Sequence, residues 1–176
     1  MGLGDGPMFH GYKCFDEGLM NRYGDSFHLH TEYHCNGIIR FGNNGNGFHV
    51  CKRLEDTLRY FDAMNQTIDM TEVHCYGQKD EYEDDYNGYY DMYAYEYMMI
   101  DKILTREEIV DYGLHLYDTR VKRFLSLYKL LPNEIVLFQN QFQNSIDVLR
   151  TISYYQEGNK EAFLESDKKY VKSRKV

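Results

Sequence analysis

Polar and apolar positions alternate in short bursts over the first hundred residues and then change to a spacing of three and four. Met8, His10, Tyr12 and Cys14 alternate with Phe9, Gly11, Lys13 and Phe15, which predicts an opening strand over residues 8–15. Residues 26–35 and 38–41 read as short strand pieces, and residues 67–76 alternate well enough for a further strand. From Tyr95 the alternation returns, placing Glu96, Met98, Ile100, Lys102 and Leu104 on one face. Three of those five are apolar, so Glu96 heads a partly buried row, where a carboxylate is costly unless it is paired or used. Between these strands, Val50, Leu54, Leu58 and Phe61 recur at helical spacing, predicting an amphipathic helix over 49–63 with Thr57 and Tyr60 at the edge of its apolar stripe.

Beyond Leu104 the pattern becomes helical. Thr105-Arg106-Glu107-Glu108 is a capping box, in which the Thr hydroxyl and the Glu carboxylate satisfy each other's backbone donors. Asp118 is placed to cap a helix carrying Val121, Phe124, Leu125 and Tyr128. Pro132 fits a first helical position and opens a longer amphipathic run through Tyr155, closed by Gly158, with Asn159 capping a last helix. The sequence therefore predicts an α+β protein: a compact split antiparallel β core over 1–104, then a C-terminal helical extension over 105–176.

Composition changes this picture in three places. At 176 residues the chain buries a working core without disulfides, and its four cysteines form no CxxC pair and follow no signal peptide, so a reduced, cytoplasmic setting is expected. No apolar run approaches a membrane span, and a formal charge of -8 argues against general nucleic-acid binding. Tyrosine is abundant, with 18 residues, and residues 78–93 are both acidic and tyrosine-rich. That stretch reads as a solvated loop, or as a contact loop whose rigid rings and acids select a basic partner surface.

The candidate chemistry lies in three places: His10-Gly11 in the first strand, Gly47-Phe48-His49 after the glycine-rich run 42–47, and Glu96-Tyr97-Met98-Met99-Ile100-Asp101 heading the late strand. Thr57 follows His49 by eight positions and Tyr60 by eleven. In this order the motifs resemble the ADP-ribosyltransferase superfamily, on its poly(ADP-ribose) polymerase and diphtheria-toxin side, where a His-Gly, a Gly-x-Tyr-Phe-Ala with Ser and Tyr eight and eleven beyond its Tyr, and a strand-heading Glu recur. They also resemble an uncharacterised phage and bacterial family with a Gly-Phe-His-x-Cys stretch.

The resemblance implies a split β fold of ADP-ribosyltransferase type and the transfer of ADP-ribose from NAD, as substrate, to a protein or nucleic-acid acceptor, as in a mono-ADP-ribosyltransferase. It gives His10 to a ribose hydroxyl of NAD and the Gly11 backbone to the nicotinamide carboxamide. Thr57 would add a hydroxyl there, Tyr60 would stack on the nicotinamide ring, and Glu96 would stabilise positive charge developing at C1′. His49 stands where the family has Tyr, so the triad becomes His-His-Glu, with a smaller ring that can still stack or donate a hydrogen bond. A phage or bacterial effector fits this reading, and for a phage-encoded chain an anti-defence role in the host cytoplasm suits it and the binding rival alike.

Two rivals use the same residues. His28, His30, His34, Cys35, His49, Cys51, His74 and Cys75 are many soft ligands for a small domain, with His28, His30 and His34 on one face if the strand alternates, yet no spacing pins a metal geometry and no metal is expected. The other is a non-catalytic inhibitor that occupies a host protein through residues 78–93. No cysteine sits in a recognisable Cys-His nucleophile motif.

Overall fold

The opening alternation folds as β1 (Phe9–Asp16), which pairs antiparallel along its length with β4 (Ile68–Glu81), from Phe9↔Cys75 to Asp16↔Ile68. The computed structural model describes residues 7–42, 44–81 and 91–158. On its other side β4 pairs with β5 (Met92–Ile103), and β5 pairs with β3 (Phe48–Cys51). β3 returns to β1 through Tyr12↔Cys51, so the four strands close into a ring. β2 (Glu32–His34) pairs with Tyr97–Met99 of β5, end to end with β3, which takes Met92–Tyr95. All five strands pair antiparallel.

Every strand of the ring feeds one core: Phe15 from β1, Val50 from β3, Val73 and Cys75 from β4, and Tyr95, Met98 and Ile100 from β5. Full burial of side chains of this size contributes about 1.5–3 kcal/mol each relative to exposure.

The amphipathic helix expected over 49–63 is shorter and tighter. Val50 belongs to β3, and only Leu54–Tyr60 is helical, as a 3-10 helix that ends when Phe61 N–H donates to Leu58 O at 3.2 Å. Its start at Arg53 has no capping side chain, and the Thr57 hydroxyl donates to Leu54 O, three residues back, at 2.6 Å. Such a bond competes with the α-helical ladder, and a single 3-10 run fits between two strands. Leu54 and Leu58 are fully buried, as the periodicity predicts, but Thr57 is buried as well instead of sitting at an exposed edge.

Residues 26–35 and 38–41 are mostly irregular, keeping only β2 and isolated bridges such as Arg40–Asn46. The stretch 78–93 is not a loop throughout. β4 continues to Glu81 and β5 begins at Met92, while 82–90 lie outside the described residues.

The chain divides into two compact units: within the described residues, 7–61 with 66–104, and 62–65 with 105–158. The helical unit holds α1 (Arg106–Leu114), α2 (Asp118–Leu127), α3 (Pro132–Gln141) and α4 (Ile146–Thr151), continued by a π turn over Ile152–Gln156. The predicted capping box is present at Thr105 and Glu108. Asp118 does not cap α2, because Tyr117 holds that position and the Asp118 carboxylate accepts from the Ser145 hydroxyl at 2.6 Å. The long run expected from Pro132 to Tyr155 breaks after Gln141, and Ser145 starts α4 by accepting from Val148 N. Asn159, its expected helix and the basic end lie outside the described residues. Among those described, no helix is long and apolar enough to cross a membrane.

Candidate active site

Glu96 stands opposite an irregularity in β4. Tyr76 pairs with Tyr97 and Lys79 with Tyr95, so Gly77 and Gln78 together face the single residue Glu96. This is a β-bulge, and its first residue has φ +87, a conformation that glycine adopts without a side-chain clash. A Cβ at Gly77 would lie 2.8 Å from Glu96 Oε1 and 2.8 Å from the Tyr97 ring, so nothing larger fits against the carboxylate. The bulge turns the Gln78 N–H onto Glu96 Oε1 at 3.1 Å.

The same irregularity takes Glu96 off the row it was expected to head. Tyr93 and Tyr95 face the core before it, Met98 and Ile100 after it, so the alternation slips by one residue at Glu96. The burial problem is thereby avoided. His34 Nε2 on β2 lies 2.9 Å from Glu96 Oε2, completing a carboxylate held at both oxygens. The Gln78 backbone bond first, and the His34 bond second, keep Glu96 below the usual carboxylate range and therefore ionised at neutral pH.

A row of rings extends from this pair across four strands. His34 stacks on Tyr97 at 4.4 Å and 16°, and Tyr97 on Tyr76 at 5.0 Å and 10°. Tyr76 lies 6.3 Å from His74, and His74 lies 5.9 Å from His10. Two more carboxylates hold the row: Glu32 accepts from the Tyr76 hydroxyl, and Asp101 lies 2.7 and 2.9 Å from His74 Nδ1. His10 and His34 are exposed at its two ends, while Tyr76 and Tyr97 are buried in the middle.

The other expected site residues are placed differently. Gly11 is buried where β1 meets β3, and a Cβ there would lie 2.5 Å from Cys51 O, so its lack of a side chain permits the closure of the ring. His49 anchors the loop that precedes it. Gly42 N–H donates to Nε2 at 3.0 Å, which leaves the proton on Nδ1, 3.2 Å from Gly47 O. Burial, with Lys13 adding to it, holds the His49 imidazole below its usual value, and Phe41 packs on the ring at 4.6 Å. Besides Leu54 O, Thr57 Oγ1 meets Cys14 Sγ at 2.8 Å. Tyr60 is 58 % exposed, under the guanidinium of Arg59.

Among the described residues no hydrogen bond or ring contact joins His10, His49 and Glu96 to one another. The structure links His10 to Glu96 through the ring row and sets His49 apart. Nor do the histidines and cysteines gather: no group of three or more His, Cys, Asp or Glu side chains among the described residues is placed to hold a metal ion. His28 and His30 lie outside any strand, so the single face expected for them does not form.

Residues 9–87 match the family model described as "Domain of unknown function (DUF7666)". The match takes in His10, Gly11, His49, Thr57 and Tyr60 and stops before Glu96. No curated protein and no solved structure matches the chain.

His34 and Gln78 were not legible as partners of Glu96. His34 lies 62 positions from it and is brought there only by the β2–β5 pairing, and Gln78 acts through its backbone. The one available signal is Gly77, directly after the strand expected over 67–76, where a glycine marks a turn, a bulge or a close approach.

Proposed function

We propose that the β unit binds NAD and transfers its ADP-ribose to a macromolecular acceptor, as an ADP-ribosyltransferase-like enzyme. The observation that carries this reading is the Glu96 carboxylate, fixed at both oxygens and kept ionised at the head of a stacked ring row. Cleavage of a nicotinamide–ribose bond builds positive charge at C1′. A carboxylate already oriented toward that charge needs no reorganisation when it forms, which is where electrostatic catalysis gains most. His10, exposed at the far end of the row, is free to bond a ribose hydroxyl. The Gly11 backbone and the exposed Tyr60 ring keep the nicotinamide-binding roles that the resemblance gives them. His49 and Thr57 already spend their polar atoms inside the fold, so their contribution is structural: His49 holds Gly42 and Gly47, and Thr57 pins the 3-10 helix.

The test is nicotinamide release from NAD by the purified protein. Glu96→Gln keeps the shape and removes the charge, and release should fall by about 10²–10³-fold, the size expected for one preorganised electrostatic group. Labelled ADP-ribose appearing on a lysate component would accompany the release. Equal release by wild type and Glu96→Gln would sink the mechanism. No release by either would leave the protein a binder, and charge reversal within 78–93 would then be the informative change.

A further inference from the structure

We propose that His34 is the general base of this site, taking the proton from a hydroxyl acceptor as its oxygen attacks C1′. The substrate named in this inference rests on the NAD reading above; the geometry of the dyad does not.

An ionised carboxylate has only lone pairs to offer, so the 2.9 Å contact between Glu96 Oε2 and His34 Nε2 requires the proton to sit on Nε2. A neutral imidazole carries one N–H, which leaves Nδ1 with a lone pair. Among the described residues Nδ1 takes no hydrogen bond, and the side chain is 40 % exposed, so this lone pair is open to an incoming group. Two further contacts fix its direction. Tyr97 stacks under the ring at 4.4 Å, setting its plane, and Gln78 N–H holds the other oxygen of Glu96. A carboxylate that is itself anchored, an imidazole held in one tautomer and a second nitrogen left without a partner on a partly exposed ring are the parts of an activating dyad.

The bond from C1′ to the nicotinamide nitrogen breaks and its electron pair stays on that nitrogen, neutralising the pyridinium. The acceptor oxygen bonds to C1′ and its proton passes to His34 Nδ1. The imidazolium so formed lies against Glu96, which stabilises it. A base is useful only to an acceptor that must lose a proton, so the favoured acceptor atom is a hydroxyl oxygen, with water as the simplest case. An acceptor already anionic, such as a carboxylate, gains nothing from His34.

The experiment has two arms on the full chain. In the first, ¹⁵N-histidine NMR of wild type should show His34 as the Nε2–H tautomer, and Glu96→Ala should remove that preference. A proton on Nδ1 would overturn the proposal without any assay. In the second, nicotinamide release into water is followed against pH. His34→Gln should lower kcat by about 10²–10⁴-fold, the range of general acid–base catalysis, with KM for NAD little changed and the acid limb of the profile lost. Added imidazole should restore part of the rate, which a misfolded variant would not allow. A His34→Gln profile with its acid limb intact would overturn the general base alone. Absence of release in wild type would overturn the NAD reading together with this one.

Discussion

At the level of single residues, Gly77 does more than any other to shape the site. Its positive φ makes the bulge, the bulge presents Gln78 N–H, and the missing side chain makes room for Glu96. Gly77→Ala should destabilise the protein by about 1–3 kcal/mol, the cost of holding a non-glycine residue in a sparsely populated backbone region. Its Cβ would also push against Glu96 Oε1, so the variant should lose nicotinamide release more than its stability loss explains. Urea unfolding beside the release assay separates the two effects. His10, Glu96 and the Gly77 signal were present in the sequence, but His34 was grouped there with possible metal ligands. Alternation reports which face a residue takes within one strand and is blind to the strand that will lie alongside. It is also blind to a bulge, and so Glu96 was assigned to the row of Met98 and Ile100 that it leaves.

At the level of elements, local chemistry was legible where it was self-contained. Thr105 and Glu108 satisfy each other within one turn and formed as written, with Glu108 N–H donating to the Thr105 hydroxyl at 3.2 Å. Pro132 likewise opens α3. Thr105→Ala should cost about 1 kcal/mol, the usual loss for an N-cap, read as a lower midpoint in urea with an unchanged slope. Elements that answer to tertiary partners leave no such local signature. The run after Pro132 breaks at 142–145, yet each half keeps helical spacing by itself: Phe138 and Phe142 before the break, and Val148 and Ile152 after it, lie four apart and are all buried. Gln156, polar in a helical pattern, is buried for a reason no periodicity shows: its amide bonds the carbonyls of Leu125 and Tyr128 and the N–H of Leu130, satisfying the chain where α2 ends.

For the molecule as a whole, two titrating groups set the acid response in the same direction. Burial depresses His49, so below its ordinary value of 6.5 the unfolded chain takes up a proton that the folded chain resists, and stability falls with falling pH. Glu96 is depressed by its Gln78 and His34 bonds, so its contribution is complete above 4.5 and is lost as pH drops through its lower folded value. Stability should thus decline in two windows, one beginning near 6.5 and one below 4.5. Urea midpoints from pH 8 to pH 3 check this, with His49→Gln flattening the first window and Glu96→Gln the second.

The closure of β1, β4, β5 and β3 has a consequence for recognition by other chains. Sheet proteins often capture an extended peptide by offering it a vacant edge, and they aggregate by the same route. In this ring β4 has β1 on one side and β5 on the other, and β5 carries β3 and β2 in tandem opposite β4. Over Thr71–Cys75 of β4, and over Tyr93–Tyr95 and Tyr97–Met99 of β5, a strand lies on each side and the backbone donors and acceptors are spoken for from within. An acceptor or inhibitor that meets this unit along those doubly paired stretches must therefore be read by its side chains, through charge and ring contact, and a backbone-only peptide mimic should find nothing to join there.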